Sequence, residues 1–218
     1  MRLQSAIFDM DGTLLDSMGM WRTRAETLVR SHGATPPPDL NSRVNHLSVR
    51  EGAALCKELC GLPGTVDELA EEVWGQIEQF YRHEVQPKAG LVKFLSLLKM
   101  EGVWMYVATA TDRPLAEAAL RCAGIDGFFR GIVTIQEAGK NKYESAEVYE
   151  RALRRLRSTK KDTVVFEDAL YALRTAKAAG FRTAAVYDPT EPEQEEMRRL
   201  ADYYITSYEE MFRSDALE

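Results

Sequence analysis

Cysteine is scarce, with only Cys56, Cys60 and Cys122 among 218 residues. The odd count and the lack of a paired metal-ligand spacing argue against a disulfide framework and for a reduced, cytoplasmic setting. Cys56 and Cys60 stand four apart in a helical pattern, which makes core packing their expected role. An excess of positive charge is also missing. Lys and Arg number 28 against 34 Asp and Glu, a net charge of −6, so neither nucleic acid nor an anionic membrane is an expected partner. One local basic run, Arg151, Arg154, Arg155, Arg157, Lys160 and Lys161, is expected to face water late in a helix. No long hydrophobic run opens the chain. Only Ser5-Ala6-Ile7-Phe8 precedes two aspartates, too short for a signal peptide or a membrane span. Internal repeats and low-complexity segments are likewise lacking. What remains is an ordinary globular composition, 45% hydrophobic and 28% charged, in a chain long enough for one sizeable core and a smaller module.

Short apolar runs recur, separated by helical patterns. Ala6-Ile7-Phe8 is the first strand candidate, followed by Trp104-Met105-Tyr106-Val107-Ala108 and Ile132-Val133-Thr134-Ile135. Val164-Val165-Phe166, Ala184-Ala185-Val186-Tyr187 and the weaker Tyr203-Tyr204-Ile205 complete the set. Between them lie amphipathic stretches such as Leu91 to Met100, closed by Gly102, and Ala169 to Ala179, closed by Gly180. Another carries Pro114 in its first turn and ends near Gly124. Strands alternating with helices imply an α/β fold, a doubly wound parallel sheet with helices on both faces.

Residues 17–86 break the alternation with helical periodicity and no convincing strand. Pro36-Pro37-Pro38 and Leu62-Pro63-Gly64 interrupt this region, while Ser48 with Glu51 and Thr65 with Glu68 form capping boxes that open two helices. The second helix is expected to bury Leu69, Val73, Trp74, Ile77, Phe80 and Tyr81 on one face. The chain is therefore expected to consist of an α/β core, residues 1–16 and 87–218, and a helical insert, residues 17–86.

In an open parallel sheet, ligands bind beyond the carboxyl ends of the strands. Asp9-Met10-Asp11-Gly12-Thr13 follows the first strand, Thr109-Ala110-Thr111 the second and Glu167-Asp168 the fourth. Lys140-Asn141-Lys142 lies between the third and fourth. Four carboxylates cannot share a small cavity while ionised unless something cationic gathers them. A hard divalent ion with oxygen ligands suits the set, and magnesium keeps room for a substrate phosphate. Thr109 and the amides after it can donate to phosphate oxygens, and a lysine can add a point charge. One carboxylate can then act as nucleophile, and a second two residues away can protonate a leaving alcohol and later deprotonate water.

Asp9-x-Asp11-Gly12-Thr13-Leu14, Thr109 after an apolar strand, a lysine near 142 and Val165-Phe166-Glu167-Asp168-Ala169 together resemble the four motifs of the haloacid dehalogenase superfamily. Ala176-Lys177-Ala178-Ala179-Gly180-Phe181 is similar to a run typical of its members. The insert resembles the helical-bundle cap of the subgroup holding phosphoglycolate phosphatase and beta-phosphoglucomutase. The resemblance implies a magnesium-dependent phosphatase in which Asp9 is the nucleophile and forms an aspartyl-phosphate, while Asp11 is the general acid and base. It assigns Mg²⁺ to Asp9, the backbone carbonyl of Asp11, Asp168 and Glu167, and the phosphate to Thr109, the Ala110 amide and Lys142, with Lys140 as the alternative lysine. The motif departs from the family pattern after Lys142, where Tyr143-Glu144-Ser145-Ala146-Glu147 replaces the usual prolines. A carboxylate at Asp11 favours phosphoester over dehalogenase or phosphonate chemistry. Trp21 stands where the mutases carry a cap histidine, which favours hydrolysis over phosphate transfer within a sugar; a silent phosphate-binding regulator is a third reading. The implied substrate is a small phosphorylated metabolite, handled by a monomer. Trp21 and Arg50 are the cap residues expected to contact it, with Arg22, Arg43 and His46 as further candidates, and Asp16 is expected to brace the hinge.

Overall fold

The computed structural model describes residues 3–45 and 47–212, so His46 lies outside the described residues. The chain divides into two compact units, one comprising residues 1–16 and 85–218 and the other residues 17–84.

The first unit is built on six parallel strands. They are β1 (Ser5–Phe8), β2 (Trp104–Thr109), β3 (Ile132–Thr134), β4 (Thr163–Glu167), β5 (Arg182–Val186) and β6 (Tyr203–Ile205), ordered β3-β2-β1-β4-β5-β6. The direction of winding reverses between β1 and β4, the place where such sheets open a crevice for ligands. Phe8 pairs with Phe166 and Ile7 with Val165 across these two strands. Strand alternation sends the two pairs to opposite faces. On one face the Phe8 and Phe166 rings stack at 4.3 Å, and Phe94 of α5 (Leu91–Met100) meets Phe166 edge-on at 5.9 Å. On the other, Ile7 and Val165 pack with Ala108, Tyr149 and Ala152 beneath α8 (Glu147–Leu156). The remaining helices of this unit are α6 (Arg113–Cys122), the one-turn α7 (Ile135–Ala138), α9 (Leu170–Ala178) and α10 (Gln194–Leu200).

Ile135 was expected to continue the third strand, but it opens α7. The Thr134 hydroxyl accepts from the Glu137 amide, and the Glu137 carboxylate accepts from the Thr134 amide. This capping box ends the strand one residue early. Two segments beside the sheet are joined by main-chain bonds: Asp16 N–H donates to Gln86 O at 3.0 Å, Lys88 N–H donates to Leu14 O at 2.9 Å, and Leu15 bridges Pro87 in antiparallel sense.

The second unit contains α1 (Met18–Ser31), α2 (Leu40–Val44), α3 (Val49–Cys60) and α4 (Val66–His83). The Ser48–Glu51 and Thr65–Glu68 boxes are both formed, at the starts of α3 and α4. On α4, Leu69, Val73, Ile77 and Tyr81 are buried, but Trp74 is 45% exposed, at the edge of the apolar stripe rather than in it. Cys56 is buried and its thiol is pushed up to about 11 by burial, as suits a packing residue. No helix of the described residues is long and apolar enough to cross a membrane.

Candidate active site

The loop after β1 is drawn tight. Leu14 and Leu15 amides both donate to Met10 O at 2.9 Å, and Gly12 takes φ 79°, a left-handed conformation that only glycine adopts without strain. Because Phe8 is level with Phe166, Asp9 is level with Glu167, and both side chains turn to the α8 side of the sheet. Lys142 arrives there from the loop between α7 and α8. Its ammonium donates to Asp9 Oδ1 and, at 2.7 Å, to Glu167 Oε1. The Tyr149 hydroxyl donates to the same Glu167 oxygen at 2.6 Å. Asp168, next along, accepts from the Thr13 hydroxyl at 2.9 Å, and the Tyr208 hydroxyl holds Thr13 O at 3.1 Å.

Asp9, Glu167 and Asp168 are 7%, 1% and 4% exposed, and each offers an oxygen within 4.8 Å of the others. Burial raises the Asp9 carboxyl to about 7; Lys142 pulls it back only in part, and Glu167 opposes that pull. Burial also raises Asp168 well above the usual carboxylate range, with Asp9 and Glu167 adding to the effect. Lys142 loses hydration as well, yet Asp9 and Glu167 more than compensate and hold it charged. Three buried carboxylates face one ammonium, so ionising all of them leaves two negative charges unbalanced. A buried all-oxygen cluster with that deficit fits a hard divalent cation.

On the β2 side, Thr109 is buried and its hydroxyl accepts from the Thr111 amide at 3.0 Å. The Thr111 hydroxyl donates to Asp11 Oδ2 at 2.7 Å. Thr111 and Asp11 follow adjacent strands, so the pair depends on the β1–β2 neighbourhood. Ala110 is exposed beside Thr109, and its carbonyl accepts from Gln136 at 3.4 Å. The structure thus brings together Asp9, Lys142, Glu167 and Asp168, and links Asp11 to Thr109 through Thr111. Lys140 is exposed, whereas Lys142 is 4% exposed and inside the cluster. Sequence reasoning gave no role to Thr13, Thr111 or Tyr149. Thr13 and Thr111 stood inside quoted motifs, and Tyr149 follows Lys142 by seven residues, in the first turn of α8; those were the available signals.

The residues singled out in the helical unit have partners there. Trp21 Nε1 donates to the Tyr81 hydroxyl at 2.8 Å, and Arg50 pairs with Asp67 at 2.7 Å on an exposed surface. Arg43 lies 4.0 Å from Asp39, and Arg22 is exposed. In the basic run, Arg151 and Arg154 share Glu147 at 2.9 and 2.6 Å, and Lys160 pairs with Glu150 at 2.8 Å.

The model of the haloacid dehalogenase-like hydrolases matches residues 6–186, and the chain belongs to that family. A phosphorylated carbohydrates phosphatase of Thermotoga maritima is 25% identical over 178 residues, 82% of either chain. A validoxylamine A 7'-phosphate phosphatase of Streptomyces hygroscopicus subsp. limoneus is 28% identical, over 80% of this chain and 81% of that one. Among solved structures, a Thermotoga maritima protein provisionally described as a beta-phosphoglucomutase shares the fold. Its TM-score is 0.85 at 22% identity, covering 95% of this chain and 96% of that one.

Proposed function

We propose that this chain hydrolyses the phosphate ester of a small phosphorylated metabolite, with Asp9 as nucleophile and Asp11 as general acid and base. The observation that carries this reading is the buried cluster of Asp9, Glu167 and Asp168 around Lys142, two charges short of balance. Phosphatases among the relatives of similar length support the reaction class.

In this reading an Asp9 oxygen attacks phosphorus while Asp11 gives its proton to the departing alcohol oxygen. The aspartyl-phosphate is then opened by water that Asp11 deprotonates, which frees inorganic phosphate and restores Asp9. Thr109 and the Ala110 amide hold the phosphoryl oxygens, and Lys142 offsets their charge. Asp9, Asp168, Glu167 and the Asp11 carbonyl would hold Mg²⁺, which when bound supplies further charge stabilisation to the phosphoryl group. The helical unit supplies substrate selectivity, with Trp21 and Arg50 as candidate contacts.

The test is phosphate release from a panel of phosphorylated metabolites, with magnesium and with chelator. Magnesium-dependent release from at least one sugar or polyol phosphate is expected. Conversion of a sugar phosphate to its isomer without net release would replace the hydrolase reading with a mutase. A second expectation concerns Thr111→Val, which removes the hydroxyl that orients Asp11. Because a hydrogen bond between neutral groups contributes about 0.5–1.5 kcal/mol, alkyl phosphate turnover should fall by about two- to tenfold. An aryl phosphate, whose leaving group needs little protonation, should lose much less. Equal losses on both substrates would disconnect Thr111 from proton delivery.

A further inference from the structure

We propose that Tyr143 and Tyr171 form a positioning clamp for Lys142, an inference that rests on the phosphohydrolase reading. Lys142 is carried by a segment, residues 139–146, that lies between α7 and α8 and belongs to no helix or strand. Within it, Asn141 makes a local turn, its side-chain oxygen accepting from the Tyr143 and Glu144 amides at 3.0 Å each. A turn of that kind shapes the loop but does not anchor it to the rest of the site.

Tyr143 makes the longer-range connection. Its ring stacks on Tyr171 with centroids 3.8 Å apart and planes 13° from parallel. Tyr171 stands in the first turn of α9, three residues after Asp168. The stack therefore joins the residue next to Lys142 to the element that directly follows Glu167 and Asp168. The Lys142–Glu167 bond of 2.7 Å spans the same two segments, so stack and ion pair are parallel links.

Core packing does not explain Tyr143, because it remains 69% exposed while its neighbour Lys142 is 4% exposed. Holding a flexible ammonium at a fixed place beside Asp9 does explain it. Phosphoryl transfer depends on position, and a displacement of about 1 Å can cost 100-fold in rate.

The test is steady-state kinetics and thermal melting of Tyr143→Ala, Tyr143→Phe, Tyr171→Ala and the Tyr143→Ala/Tyr171→Ala double variant, on the best substrate of the panel. Tyr143→Ala should lower kcat/KM by about 10- to 100-fold with little change in Tm, and Tyr143→Phe, which keeps the ring, should restore it to within about twofold. The double variant should lose no more than the worse single one, since either change breaks the same stack. Full activity in Tyr143→Ala, failure of Tyr143→Phe to rescue, or multiplying losses in the double variant would each overturn the clamp. A wild-type protein that releases no phosphate would instead strike the phosphohydrolase reading, and the clamp with it.

Discussion

Replacing Asp9 with asparagine is expected to lower phosphate release by roughly 10⁴-fold or more, as loss of a covalent nucleophile does elsewhere, while leaving the fold intact. The amide has nearly the shape of the carboxylate, so the tight loop after β1 keeps its bonds from Leu14 and Leu15 to Met10. What disappears is the oxygen proposed to attack and one negative charge of a crowded set. Asp9 is raised to about 7 chiefly by burial, with Glu167 adding to it. Removing that charge spares the folded state part of a desolvation cost. In chelator, Asp9→Asn should therefore melt at or above the wild-type temperature, although it is catalytically dead. Phosphate release that persists in the purified variant would sink the nucleophile assignment. A strongly lowered melting temperature would instead show that the Lys142–Asp9 pair outweighs the repulsion.

Lys142→Ala should do the reverse to stability. Among the described residues of the cluster, Lys142 is the single cation facing Asp9, Glu167 and Asp168. Removing one partner of a buried ion pair typically costs about 3–5 kcal/mol, because the other charges stay desolvated and unmatched. For a protein of this size that is on the order of 10 °C in Tm. The loss should be largest in chelator and shrink as magnesium is added, since a bound cation offsets the same charges. It should also shrink as pH falls. In the wild type, Asp9 titrates near 7 when folded against 3.8 as a free side chain. The folded state thus binds that proton more tightly, and stability in chelator declines as pH rises from about 4 to about 7. Without Lys142, whose charge pulls the Asp9 carboxyl down, Asp9 holds its proton to still higher pH, which moves this decline upward. A Lys142→Ala protein that melts like the wild type in chelator at pH 8 would show that the ammonium is not what balances the cluster.

Much of this was legible in the sequence because strand ends and chemistry coincide. Each of β1, β2 and β4 is an apolar run that stops at a polar residue of the site, so finding the strand located Asp9, Thr109 and Glu167 together. Ile135 shows where the pattern misleads. A β-branched residue continues an apolar run smoothly, and only the Thr134–Glu137 box, spread over four positions, marks the start of a helix. The choice between Lys140 and Lys142 was not available from spacing, because loop geometry decides which side chain turns inward. The Thr111–Asp11 bond needs the knowledge that β1 and β2 are neighbours. Alternation of strands and helices implies a parallel sheet but not its order. Tyr149 reaches Glu167 through the phase of α8 over β2 and β1, a tertiary quantity to which Lys142 and Tyr149 contribute only their separation.

The paired segments around Leu15 and Pro87 carry a consequence for how this chain can be assembled and altered. Where the polypeptide leaves the sheet-bearing unit and where it returns are held by Asp16–Gln86 and Leu14–Lys88 main-chain bonds. For the sheet, everything between them is topologically a long hairpin loop. The entropy of closing such a loop grows only slowly with its length, so insertions and deletions there are cheap. The helical unit could therefore be lengthened, exchanged or reduced to a short turn while β1 and β2 keep their register. Under the proposed function, in which the helical unit selects the substrate, editing that one segment would change what is recognised without rebuilding the cluster of Asp9, Lys142, Glu167 and Asp168.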